Sequence, residues 1–209
     1  MERISEHISY KEAIKSNTAT RLSIENIPND YQVTNMVGVA INVFEPLREY
    51  VGGPIKINSM FRSEDLNRAI GGSARSQHCE GRAIDLDDTF GHKTNAQMYH
   101  YIKDNLSFDQ LIWEFGDDKN PDWVHVSYVS KEENRGRCLR ALKENGKTIY
   151  KNNSGCFHKQ GSGDSSGEIN ILKNFFIACP AKRCAVHQIF FCDVLYFILN
   201  VFFRIFALN

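Results

Sequence analysis

The stretch SQHCEGRAIDL, residues 76–86, joins a polar turn to a short run in which apolar and polar residues alternate. Ile84 and Leu86 share one face of a strand, because successive strand residues point to opposite faces. Asp85 therefore points from the other face, and His78 lies in the turn that leads into the strand. The stretch predicts a strand that buries aliphatic side chains on one face and presents metal-binding groups on the other.

A second strand of the same kind is predicted about forty residues later, where Val124 and Val126 flank His125. The two valines share one face, so His125 points from the other. If the two strands are neighbours in one antiparallel sheet, Asp85 and His125 converge, and His78 completes a set of three ligands. Two imidazoles and one carboxylate leave a fourth position open for water, which is typical of a catalytic zinc site.

Hydrolysis at such a site also needs a general base, and two carboxylates are candidates. Asp122 lies three residues before His125, at the mouth of the predicted strand. Glu114 ends the strand pattern LIWEF, in which it points opposite to Trp113 and Phe115 and so towards the polar side of the sheet. The residues themselves leave both candidates open.

Residues 1–150 have the composition of one globular domain, and the chain of 209 residues is long enough for that domain and an appendage. Apolar residues at helical spacing predict a helix over residues 32–51, and Ser63 can cap a short helix that follows. Strands are predicted in GPIKINSMF, RAIDLD, DQLIWEF, DWVHVSYV and KTIY. We expect an α+β fold, in which a small, mainly antiparallel sheet with flanking helices carries a single zinc site.

The chain beyond this domain has a different composition. Residues 151–168 are rich in glycine and serine and predict a flexible linker, and residues 169–209 form an apolar tail rich in phenylalanine and cysteine. Residues 189–208 are about long enough to span a bilayer, but Asp193 and Arg204 interrupt them. The tail can be read as a membrane or interfacial anchor, as an unstructured or frame-altered segment, or as a packed extra helix.

The charge balance bears on partners and location. Twenty-five basic and twenty-five acidic residues give a formal net charge of zero, so electrostatics gives no reason to expect a nucleic acid as a partner. The N-terminal sequence MERISEHISYKEAIK lacks the apolar core of a secretory signal peptide. We therefore expect the protein to be synthesised in the cytoplasm without a signal peptide.

Four segments in order, SMFRS, GGSARSQHCEGRAIDL, WEF and DWVHVS, resemble the zinc D-alanyl-D-alanine carboxypeptidases, the M15 peptidases. That family also includes phage endolysins that cut peptidoglycan peptides. Its motif SxHxxGxAxD is present as Ser76, His78, Gly81, Ala83 and Asp85. The similarity covers about residues 1 to 150.

The resemblance implies a role for each residue of the predicted site. It implies that His78, Asp85 and His125 bind zinc and that Asp122 is the general base. Arg62 matches the family's substrate-binding arginine, which implies that it pairs with a substrate carboxylate or polarises the scissile carbonyl. A planar guanidinium suits this role, because it can donate two parallel hydrogen bonds to a carboxylate or oxyanion.

The implied function is a zinc peptidase acting on peptidoglycan stem peptides or other D-alanine-containing peptides, either as a D-Ala-D-Ala carboxypeptidase or as an endolysin-type endopeptidase. The implied fold is that of hedgehog domains and DD-peptidases. We expect a monomer that acts on the cell wall after release, or that is anchored by residues 189–208. Because many members have glutamate where this chain has Asp122, the alternative is a non-catalytic, zinc-stabilised module that binds the cell wall or a partner.

Overall fold

The computed structural model describes residues 2–153, which fold into helices packed on a six-stranded sheet. The predicted tail and the part of the predicted linker from residue 154 onward lie outside the described residues. Within residues 2–153, no helix is long and apolar enough to cross a membrane.

The helices and strands alternate irregularly along the chain. The helices are α1 (Tyr10–Ala13), α2 (Asn17–Leu22), α3 (Asp30–Val39), which continues through a π-helical turn (Ala40–Phe44) into α4 (Glu45–Val51), α5 (Glu64–Ala69) and α6 (Asn95–Asn105). The strands are β1 (Lys56–Ser59), β2 (Ala83–Asp87), β3 (Gln110–Glu114), β4 (Trp123–Ser127), β5 (Arg137–Glu144) and β6 (Lys147–Asn152).

The strand order in the sheet is β1-β2-β4-β3-β5-β6. Every neighbouring pair is antiparallel except β3 and β5, which run parallel. The predicted α+β class with a mainly antiparallel sheet is therefore confirmed. Strands β2 and β4, which carry the two alternating patterns, are direct neighbours near the middle of the sheet.

The helix predicted over residues 32–51 is part of a longer one, from Asp30 to Val51. Asn29 and Gln32 begin it with a capping box, in which each side chain binds the backbone N–H of the other residue. It ends at Gly52, whose positive φ of 71° suits a residue without a side chain.

The core lies on one face of the sheet, beneath α3, α4 and α6. Ile84 and Leu86 of β2 and Val124 and Val126 of β4 are fully buried there, as their alternation predicts. The side chains between them in sequence must then emerge from the opposite face of the sheet.

Candidate metal centre

His78, Asp85 and His125 converge on the face of the sheet opposite the main core. Asp85 of β2 and His125 of β4 are paired directly across the two strands, so their side chains leave the sheet side by side. His78 reaches them from the turn before β2. All three residues are buried, and their ligand atoms lie close enough together to hold one metal ion.

The spacing of the three ligand atoms fits a zinc ion. His78 Nε2 lies 3.2 Å from His125 Nδ1 and 3.3 Å from Asp85 Oδ1, and the last two atoms are 2.8 Å apart. Zinc bonds of 2.0–2.1 Å in tetrahedral geometry separate two ligand atoms by about 3.3 Å. The two separations from His78 Nε2 match this value, whereas the 2.8 Å between His125 and Asp85 is a hydrogen-bond distance that would have to open by about 0.5 Å.

The His78 ring is oriented by the backbone. Its Nδ1–H donates to the carbonyl of Met60 at 2.7 Å, which leaves the lone pair of Nε2 directed at the other two ligands. Burial lowers the pKa of His78, which favours the neutral imidazole that a metal requires.

The turn that carries His78, residues 76–82, packs closely against α3, and we call it the ligand turn. Gly81 has a φ of +72°, and a Cβ at this position would lie 2.4 Å from the carbonyl oxygen of Gln32. The Gln32 side chain also donates to the carbonyl of Cys79 at 2.9 Å. Only glycine fits this approach, which explains its place in the sequence motif.

Asp85 is held in its ionised form. Burial alone would raise the pKa of its carboxyl, but the charge interaction with His78 and the hydrogen bonds with His125 and His78 hold that pKa well below its usual range. Arg62 also donates to Asp85 Oδ2 at 2.7 Å. One carboxylate oxygen thus faces the two imidazoles and the other faces Arg62.

Arg62 lies three residues beyond β1 and is fixed at three points. Its Nε donates to Ser59 Oγ at 2.9 Å, its guanidinium binds Asp85, and its backbone N–H donates to the carbonyl of His78 at 3.3 Å. The arginine is therefore joined to the same turn as the first histidine.

Glu114 lies on the metal-binding face. Its neighbour two residues back on β3, Ile112, is paired with His125, so the Glu114 side chain leaves the sheet on the same side as His125. Burial raises the pKa of the Glu114 carboxyl from 4.5 to about 7. The charges of His125 and Asp85 act on it as well, in opposite directions.

Asp122, unlike the three candidate ligands and Glu114, lies at the surface of the protein. Its side chain is exposed, just before β4 begins. Its backbone N–H donates to the carbonyl of Glu114 at 2.9 Å, and its carbonyl accepts from the Asn95 side chain at 3.0 Å. Of the two candidate bases, Glu114 is the one that is buried on the metal-binding face.

A buried carboxylate behind the site was not singled out from the sequence. Asp109 accepts two hydrogen bonds from the Arg135 side chain, at 2.7 and 2.5 Å, and one from the Gln77 side chain at 2.9 Å. Gln77 directly precedes His78, so this group links the start of β3 to the ligand turn. No sequence pattern links Gln77, Asp109 and Arg135, because they lie far apart in the chain. The one weak signal is the position of Asp109 directly before a strand of apolar residues, where a buried carboxylate would need polar partners.

Comparison with known proteins identifies one family. The family model described as Peptidase M15 matches residues 6–127, which is more than half of the chain and contains every residue of the candidate site. No curated protein matches the chain.

Proposed function

Because the chain belongs to the Peptidase M15 family, we propose that it is a zinc-dependent peptidase that hydrolyses peptide bonds in peptidoglycan stem peptides. Membership of the family supports peptidase activity, and zinc and the peptidoglycan substrate are our proposals. The observation that carries the proposal is the spacing of the His78, Asp85 and His125 ligand atoms, each pair 2.8–3.3 Å apart.

Two imidazole nitrogens and one carboxylate oxygen are a donor set typical of catalytic zinc. A bound zinc ion would supply Lewis-acid chemistry at this position, polarising a carbonyl and acidifying water. His78 and His125 would hold it as neutral imidazoles, and the Asp85 carboxylate would balance part of its charge. The Met60 carbonyl would keep His78 in the tautomer with a free Nε2.

We assign the general base to Glu114 and keep Asp122, which the family motif implies, as the competing candidate. A base must lie within reach of the reacting water and have a pKa near the working pH. The position of Glu114 beside His125 and its pKa of about 7 support this assignment. Asp122 is exposed at the strand entrance, so it would act there only from the rim of the site.

Arg62 is the proposed substrate-binding group. Arg62 and Asp85 both line a cleft, where the guanidinium would bind a substrate carboxylate or the oxygen of the scissile carbonyl. Ser59 and Asp85 occupy part of its donor set and fix its plane, which reduces the entropy lost when substrate binds.

The proposed substrate lies in the cell wall, so we also propose that the protein acts after its release from the cell that makes it. A monomer suffices for this activity, because all the proposed ligands, Arg62 and both candidate bases belong to one chain.

Digestion of purified peptidoglycan by the zinc-loaded full chain tests the function. Mass spectrometry of the soluble products is expected to show shortened or released stem peptides and thereby to identify the bond that is cut. A zinc-loaded chain that yields no such fragments, while still binding peptidoglycan, would instead be the non-catalytic module.

Two isosteric variants test the assignment of the base. Glu114→Gln is expected to retain zinc and lose hydrolysis by about 100-fold or more, which is the range for removing a general base. Asp122→Asn is expected to keep most of the rate. The reverse pattern would transfer the role to Asp122.

A further inference from the structure

A cleft of about 660 Å³ opens beside the metal centre, with Arg62 and Asp85 in its wall. Two further cations, Lys15 and Lys56, line the cleft, against one further carboxylate, Glu12. The wall carries three positive and two negative side chains, and Asp87, outside the wall, neutralises Lys56. A bound divalent metal ion would leave the cleft with a positive charge, which favours an anionic ligand.

Lys15 is the wall cation whose charge is not neutralised within the described part of the chain. Arg62 is paired with Asp85 at 2.7 Å, and Lys56 is paired with Asp87 at 3.4 Å. No carboxylate among residues 2–153 lies within ion-pair distance of the Lys15 ammonium. Its charge is therefore available to a ligand in the cleft.

The segment that carries Lys15 is joined to the segment that carries Arg62. The Phe61 N–H donates to the carbonyl of Ala13 at 3.0 Å, which fastens the end of α1 to the residue before Arg62. Lys15 lies two residues beyond that bond, so the two cations approach the cleft from adjoining strips of backbone.

The side chain of Asn26 strengthens this junction. It is buried, and it donates to the carbonyls of Ile14 at 2.8 Å and Phe61 at 3.2 Å. Its oxygen accepts the N–H of Ser63 at 2.7 Å. These bonds hold the residue before Lys15 and both neighbours of Arg62, so one amide fixes the spacing of the two backbone segments that carry the cations.

We propose that Lys15 is a second substrate-binding cation, held beside Arg62 by Asn26, and that the cleft selects peptides that carry a free carboxylate near the bond to be cut. This inference rests on the proposed function for the identity of the peptide and deepens it by naming what the site recognises. Arg62 would grip one oxygen-rich group close to the metal, while Lys15 would pair with a carboxylate further along the same peptide.

The test uses the zinc-loaded full chain and two forms of a stem pentapeptide, one with its carboxylates free and one with them amidated. Dissociation constants are measured by titration calorimetry in the cold, before cleavage accumulates, and KM and kcat in separate assays. The variants are Lys15→Gln and, as a matched control, Lys11→Gln, which removes an exposed lysine of α1 that does not line the cleft.

The wild-type chain and Lys11→Gln are expected to prefer the free acid. Lys15→Gln, which removes an exposed ammonium, is expected to bind the free acid up to about fivefold more weakly, the fold-change for about 1 kcal/mol at the upper end for exposed ion pairs, with the affinity for the amide unchanged. An unchanged preference in Lys15→Gln, or no binding of either peptide by the wild type, would overturn the inference. A preference in binding that depends on Lys15, but without cleavage, would uphold the inference and refute the proposed peptidase activity.

Asn26→Ala tests the positioning role separately. It is expected to reduce the preference for the free acid, and not merely the stability of the fold. A lower melting temperature with an unchanged ratio of the two dissociation constants would assign Asn26 a structural role alone.

Discussion

At the residue scale, the pKa values of two buried carboxyl groups in the site, those of Asp85 and Glu114, are shifted in opposite directions. The carboxyl of Asp85 is kept ionised by its histidine neighbours, whereas burial raises the pKa of Glu114 to about 7. Two carboxyl groups on one face of the sheet thus have different proton affinities, which suits the ligand and base roles that we propose for them. The difference has a measurable effect on stability.

The free energy of unfolding of the metal-free chain should reveal the buried carboxyl of Glu114. Below pH 4.5 the group is protonated in both states, so it contributes no pH dependence. As the pH rises from 4.5 to about 7, the unfolded chain releases this proton and the folded chain does not, so stability falls. The loss is complete above pH 7 and amounts to roughly 3 kcal/mol.

Glu114→Gln should remove this loss. In urea denaturation with a chelator present, the variant is expected to be more stable than the wild type at pH 8 and nearly equal to it at pH 4. A stability difference that is the same at both pH values would show that Glu114 is not buried as an ionisable group.

At the element scale, alternation along β2 and β4 places Asp85 and His125, two of the three candidate ligands, on one face of the sheet. The predicted strands could be read from the sequence because a period of two is visible within five residues, and the structure pairs them as neighbours. β5 was missed, because RCLRALKE mixes charged and apolar residues without that period, and its parallel partner β3 lies more than twenty residues earlier. The sequence also left the base open, since burial on a sheet face depends on strands distant in the chain.

Glycine substitutions can measure how much the close packing of the ligand turn against α3 restricts residue 81. Gly81→Ala is expected to cost more stability than Gly91→Ala, by about 1–3 kcal/mol. Both glycines have a positive φ, of +72° and +71°, but only Gly81 faces a backbone oxygen where the new Cβ would lie. Equal losses in urea denaturation would show that φ alone accounts for the cost.

The link from β3 to the ligand turn gives a second prediction at this scale. Gln77→Leu removes the hydrogen bond to Asp109 and is expected to weaken zinc binding about tenfold, the lower end of the range for groups that support metal ligands. The melting temperature of the metal-free variant should change little. A large drop in that temperature with unchanged zinc affinity would contradict a role in orienting His78.

At the scale of the whole molecule, residues from distant parts of the chain meet at one site. One face of the sheet carries Arg62, the ligand turn, the end of β3 and the start of β4. The opposite face buries the main core. This division lets the core stabilise the fold while polar groups gather on the metal-binding face. The place of Lys15 and Asn26 beside Arg62 could not be predicted from the sequence, because the contacts between these segments link residues that are far apart in the chain.

Elemental analysis of the purified full chain measures directly whether His78, Asp85 and His125 hold a zinc ion. About one zinc per chain is expected in the wild type and in His92→Ala, which removes an exposed histidine that is not one of the candidate ligands. Almost none is expected in His78→Ala. A wild-type chain without zinc after incubation with the metal, or a His78→Ala chain that retains it, would show that these three side chains are not a zinc site.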